Sequence, residues 1–202
     1  MDKKVEVPAA QARILDAAIA CVKRWGIERV TLNDIADEAG VARSTVYSYY
    51  SNRDEVIRAG LLQSAYGFGE KLFDHISRFK TSRDRAIEAV AYSLEVLPNE
   101  PHLGLISDST LSEILHAEAL TTPEGTDIGL ALFQVIMQRE DRSDDETREM
   151  LEFAFRFMLS LLNMKSPVER TPEELRGFIA RRMLPSIGLT VPSKYKKFKS
   201  QK

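Results

Sequence analysis

The sequence predicts an all-α chain, and three observations carry that prediction. Apolar residues recur at helical spacing through almost all of the 202 residues, no stretch sustains an alternation of apolar and polar positions, and no Asn-Gly or Asp-Gly hairpin turn occurs. With 44% apolar and 29% charged residues the composition is that of a globular protein able to bury a core, of one or two domains. The apolar runs are too short for a membrane span, and Met1 to Pro8 carries no apolar segment of the kind that marks secretion. A cytoplasmic protein with no membrane partner is expected. Cys21 is the only cysteine, which excludes disulfides within the chain and multi-cysteine zinc sites, and it reads as a core residue.

The elements follow from caps and breakers. Ala9 to Trp25 forms a first helix, with Ile14, Ala17, Ala18, Cys21 and Val22 on one stripe and Gly26 as its stop. Thr31 stands three residues before Asp34, supplying a hydroxyl to the free N–H groups and a carboxylate to the positive helix end. A short helix, Leu32 to Ala39, starts there, meets Gly40, and is followed by Ala42 to Tyr49. Two short helices about a tight turn are a helix-turn-helix: Ala36 is small where they cross, Gly40 takes the left-handed turn, and Ile35, Val41 and Val46 fill the space between. A long helix runs from Asn52 toward Phe79 with Val56, Gly60, Ala65, Phe68, Leu72 and Ile76 near one face. Further helices are expected at Ser82–Leu97, Asp108–Leu120, Glu124–Arg139, Asp144–Met164 and Pro172–Ile187, with prolines at the junctions.

Charge is uneven. Residues 1–60 hold nine basic and nine acidic side chains, residues 61–189 fourteen and twenty-one, and residues 190–202 five lysines and no acid. This last stretch reads as a disordered basic tail, with non-specific attraction to DNA as the sharper alternative. The seven carboxylates between Glu140 and Glu152 lack the central glycine of a calcium loop and read as a solvated loop and helix start.

The stretch Arg13 to Leu61 resembles the DNA-binding domain of the TetR family of bacterial transcriptional regulators. The resemblance rests on Thr31-Leu-Asn-Asp-Ile-Ala-Asp-Glu-Ala-Gly-Val-Ala-Arg-Ser-Thr-Val-Tyr-Ser-Tyr-Tyr-Ser-Asn-Arg53 and covers about a quarter of the chain. It implies a helix-turn-helix DNA-binding domain over 1–51, a helical ligand-binding and dimerisation domain over 52–189, and the tail beyond. It also implies roles for matching residues. Arg43, Ser44 and Thr45 would face the major groove, Arg43 in a position to pair with guanine O6 and N7. Thr31, Tyr47, Tyr49 and Arg53 would hold phosphates and set register. Tyr50 reads instead as a core aromatic. Ala42 departs from the family's frequent serine cap, at a cost of about 1 kcal/mol.

A DNA-binding unit without net charge binds weakly alone, so a homodimer reading a near-palindromic operator is expected. Its surface would come from the apolar excess of Asp144–Met164, Phe153, Phe157 and Leu161 among it, with Phe178 and Met183 from the last helix completing a four-helix interface. The resemblance further implies control by a small apolar or amphipathic effector that releases the operator. Tyr66, Phe68, Tyr92, Phe133, Met137, Phe155 and Met158 are candidates to line its pocket, each also open to a reading as plain core, and His102, Glu113 and His116 are candidates to orient it.

No constellation for catalysis is found. Glu113-Ile-Leu-His116 is a single copy where a di-iron bundle needs two and further glutamates, Ser77-Arg-Phe-Lys80 lacks companion motifs, and Gly67-Phe-Gly69 lacks a third glycine and a preceding strand. No enzyme, metal or cofactor is expected. The competing reading is a helical adaptor dimer that does not bind an operator, separated from the first by whether Arg43, Tyr47 and Arg53 affect DNA affinity.

Overall fold

A computed structural model describes residues 8–100, 121–138, 143–164 and 166–196. Among the described residues there are eight α-helices and no strand. Three make the N-terminal unit: α1 (Ala9–Trp25), α2 (Leu32–Ala39) and α3 (Arg43–Tyr49). Then come α4 (Arg53–Ile76), α5 (Ser82–Val96), α6 (Pro123–Met137), α7 (Asp144–Asn163) and α8 (Pro172–Arg182). The helix expected at Asp108–Leu120 lies outside the described residues.

The caps act as the residue types suggest. Gly26 ends α1 at φ 79°, and Gly40 ends α2 in the left-handed conformation at φ 64°, which lets Val41 N–H reach back to the Ala36 carbonyl. Asn52, Thr81, Thr122, Ser143 and Thr171 each accept a hydrogen bond from an N–H of the helix that follows. The carboxylates Asp144, Asp145 and Glu146 form the first turn of α7, where they complement the helix dipole. Among the described residues no group of three or more metal-ligating side chains converges, and no helix is long and apolar enough to cross a membrane.

Two cores share one helix. The first packs α1, α2 and α3 with Val56, Ile57 and Leu61 of α4, so the expected boundary between residues 51 and 52 cuts through a single core that continues to Leu61. Gly60 makes this possible, because a Cβ there would stand 3.1 Å from the Leu15 carbonyl oxygen of α1. The second core gathers the distal half of α4 with α5 to α8. There Arg85, buried, donates to the carbonyls of Ile136 and Phe79, and Arg176 of α8 grips Glu88 of α5 through two bonds of 2.7 and 3.0 Å. His75 of α4 reaches the same carboxylate at 3.3 Å.

Two expectations for the C-terminal part are corrected. The last helix stops at Arg182 rather than Ile187, and Leu184–Ile187 forms a 3₁₀ turn, because Pro185 has no N–H to extend the ladder and biases Leu184 away from helical geometry. The stretch 190–196, expected to be disordered, is seated: Leu189 is buried, Tyr195 packs on the second core, and Arg181 donates to the Tyr195 carbonyl. Arg83 donates to Thr190 as well. That anchorage lies at the end of the bundle opposite α3, and the length of α4, about 36 Å, separates the two.

Candidate functional site

The second helix of the helix-turn-helix, α3, is short, seven residues, and is held from below by Val46, fully buried, and Tyr50, whose hydroxyl accepts a bond from Gln11 at 3.0 Å. Burial pushes the Tyr50 hydroxyl's pKa up, as suits a core phenol. What remains outward is Arg43, Ser44, Tyr47, Ser48 and Tyr49, all exposed, with Thr45 half-buried. Arg43 opens the helix and makes no hydrogen bond or ion pair with any described residue. Tyr47 is 57% exposed, one helical turn further along the same face. The N-terminus of α3 has no side-chain cap at Ala42, as the missing serine implies.

Two expected phosphate contacts are already engaged within the fold. Thr31 closes a capping box: its hydroxyl accepts from Asp34 N–H and donates to Asp34 Oδ2 at 2.6 Å, while its own N–H donates to the same carboxylate. Those bonds hold the Asp34 carboxyl below the usual carboxylate range, so the helix end already carries a counter-charge where a phosphate would come. Arg53 donates to the Glu28 and Val30 carbonyls and to Asp54, which clips the start of α4 to the loop between α1 and α2. Arg24 is tied to Glu38 by two bonds. Among these arginines, Arg43 is the one the fold leaves unengaged.

The second site is a partly open cavity of about 230 Å³ lined, among the described residues, by α4 to α7. From α4 its walls take Arg58, Leu61, Leu62, Ala65, Phe68, Gly69 and Leu72, a single helical face. Ala86, Ala89, Val90, Ser93 and Leu97 face them from α5 and its end. Residues between Gly125 and Ile136 of α6 and between Leu151 and Leu159 of α7 add to the lining, as do Met183 and Ile187. The lining is almost wholly apolar; Ser93 gives its hydroxyl hydrogen to the Ala89 carbonyl at 2.7 Å.

The structure divides the pocket candidates. Phe68, Phe133, Phe155 and Met158 line the cavity. Tyr66 does not; it lies half exposed on the other side of α4, off the lining stripe. Tyr92 stacks on His75 at 4.2 Å outside the lining, and Met137 is buried at the end of α6, where its carbonyl accepts from Ser82. His102, Glu113 and His116 lie outside the described residues. Residue type alone does not separate wall from core here: Gly69 and Gly129 also line the cavity, and the side chains of Ile128 and Leu151 lie 3.5 and 3.0 Å from the positions a Cβ would take.

The interface candidates divide as well. Phe153, Phe157 and Phe178 form a ladder over α7 and α8, Phe153 exposed and the other two half-buried, with centroids 6.3 and 6.0 Å apart and the Arg170 guanidinium over Phe178 at 4.4 Å. Leu161 is half-buried one turn beyond Phe157. Met183 is no surface residue: it is 1% exposed and faces the cavity, because α8 ends before it and the chain turns inward.

Against known proteins, the model for bacterial regulatory proteins of the tetR family matches residues 14–59. The chain is 36% identical over 81 residues to the HTH-type transcriptional regulator TtgR of Pseudomonas putida, covering 40% of this chain and 36% of that protein. The match thus spans about a third of that curated relative. It is 30% identical over 139 residues to an uncharacterized HTH-type transcriptional regulator of Mycobacterium tuberculosis, covering 67% of this chain and 71% of that one. Among solved structures, the TetR family repressor AlkX of a Dietzia strain, implicated in biodegradation of n-alkanes, shares the fold with a TM-score of 0.62 at 18% identity, over 94% of this chain and 100% of that one.

Proposed function

The chain belongs to the TetR family of helix-turn-helix transcriptional regulators, a non-enzymatic family, and on that premise we propose that it is a repressor whose homodimer binds a near-palindromic operator and is released by a small apolar or amphipathic effector. The observation that carries the operator reading is Arg43, exposed at the first position of α3 and without a partner among the described residues. A guanidinium on that turn reaches guanine O6 and N7 in the major groove, while Ser44, Thr45, Tyr47 and Tyr49 flank it for base and phosphate contacts. Thr31 and Arg53 contribute by holding the unit's shape, with any phosphate contact secondary to the bonds they already make.

The cavity supports the effector reading. It is apolar, lies between helices, and is walled by α4, the helix whose first turns belong to the DNA-reading core. An effector that favours one placement of α4 changes the spacing of the two recognition helices, and operator affinity falls by the difference in its affinity for the two placements. The aromatic ladder of Phe153, Phe157 and Phe178 supplies the surface for the second copy.

Selection of bound duplexes from a randomised pool, run with the wild type and Arg43→Ala at physiological salt, tests this reading. The expected result is an enriched near-palindrome whose preference relaxes at one or two symmetric positions in the variant, a loss of about 1–3 kcal/mol of discrimination per contact. No enrichment by a folded dimer would overturn it.

A further inference from the structure

We infer that Gln11 is a positioning residue for the helix offered to DNA: its bond to the Tyr50 hydroxyl fixes the attitude of α3 and, through the Tyr50 ring, the place of Tyr49. This rests on the operator reading and adds to it a residue that lies outside the helix-turn-helix.

Little else holds α3. It has seven residues, too few for a helix that stands alone, and no side-chain cap at Ala42. Val46 is its one buried residue, and Tyr50, at its C-terminal cap, is 6% exposed. These two stand four residues apart in the first core, so they grip α3 along a single line of its inner face. Apolar contact is non-directional and leaves the helix free to rock about such a line. A rock of about 10° carries the end of a long exposed side chain such as Arg43 or Tyr47, about 10 Å from that line, by roughly 2 Å. That is more than a hydrogen bond to a base edge tolerates.

The Tyr50 hydroxyl supplies the missing constraint. Gln11, half-buried at the third position of α1, donates to it at 3.0 Å across 39 positions of sequence. The bond is directional and acts at the far end of the ring, away from the line of apolar grip. A phenylalanine would bury the same ring without it. Its worth to stability is small, since one net hydrogen bond is set against the rotamer freedom that a glutamine gives up. Orientation is therefore its main consequence. The tie continues outward, because the exposed Tyr49 ring leans on the Tyr50 ring with centroids 6.3 Å apart and planes at 43°.

Tyr50→Phe, Gln11→Leu and the double variant test this in the full chain. The probes are the duplex enriched by the selection described above and a scrambled duplex of the same length at the same salt. Each single variant is expected to bind the enriched duplex about tenfold more weakly, about threefold for each of two half-sites, and to bind the scrambled duplex within about twofold of the wild type. The double variant loses no more than either single one, because the second substitution removes nothing that remains. Without DNA, hydrogen exchange at the Val46 and Tyr50 amides, which close the turns of α3, runs about threefold faster in all three variants while the α2 amides keep the wild-type rate. Thermal midpoints within about 2 °C of the wild type show that the fold is intact, as the retained ring and side-chain stem lead one to expect. Unchanged exchange in α3, unchanged affinity for the enriched duplex, losses that add in the double variant, or equal losses on both duplexes overturn the proposal. If no duplex is enriched, the operator reading falls and the exchange measurement decides the tie by itself: faster exchange in α3 upholds it, and unchanged exchange overturns it.

Discussion

Replacing Arg176 by methionine keeps most of the side-chain stem that packs between α5 and α8 and removes the guanidinium, so it isolates the ionic contact with Glu88. Arg176 and Glu88 are 20% and 12% exposed, and their bonds of 2.7 and 3.0 Å form a two-pronged clamp. The third bond, to Glu95 at 3.2 Å, involves a carboxylate 47% exposed and adds little. Breaking a fully buried pair costs about 3–5 kcal/mol; with partial exposure, and with His75 still 3.3 Å from Glu88, the expected loss at neutral pH is about 2–3 kcal/mol. The loss depends on pH with a definite sign. Burial pushes the Glu88 carboxyl up, but the bonds from Arg176 and His75 outweigh it and hold the folded value below the unfolded one. The stability from Glu88 is therefore present above the ordinary glutamate range and disappears as pH falls through the folded value. In the variant, burial acts with less opposition and the carboxyl takes a proton sooner, so the two proteins converge in acid. Urea denaturation of wild type and variant at pH 7 and at about pH 4 measures this, and adding Glu88→Leu to the variant restores at least half of the loss. A loss under about 0.5 kcal/mol at pH 7, or one that is the same at both pH values, would refute the reasoning.

Two other outcomes follow from sites already described. Ala42→Ser gives α3 the cap it lacks and raises stability by about 0.5–1 kcal/mol in thermal denaturation; no gain would mean that the first N–H groups of α3 are already satisfied. Phe153→Glu puts a charge on the exposed end of the aromatic ladder, so sedimentation should show the proposed dimer dissociating at least about tenfold more readily while the monomer stays folded, and an unchanged dimer would place the interface elsewhere.

The helices were legible because their ends are written locally. Thr31 with Asp34, Gly26, Gly40 and Pro172 each act within a few residues, and α1 and α2 end where those residues direct. The cavity was not legible, because a wall residue and a core residue are the same kind of residue. Phe133 lines the space and Met137, one turn on, does not, and only the assembled bundle distinguishes them. Met183 continued the apolar pattern of the last helix in sequence, yet the helix had already ended, and the residue faces inward. For Arg53 nothing in the sequence signals the two carbonyls, 25 and 23 residues away, that the fold brings against its guanidinium. Arg43 differs in that no described residue engages it, which leaves its expected role to the DNA-binding experiment.

The helix α4 belongs to both cores, yet between Leu61 and Gly69 no residue of it is buried. Its two ends lie in the two cores and its middle borders the cavity, so this stretch is less tightly packed than either end. An effector seated in the cavity would add neighbours along it, much as side chains do elsewhere in the bundle. Such an effector would then tie the two cores together more firmly, to a degree set by its concentration relative to its dissociation constant.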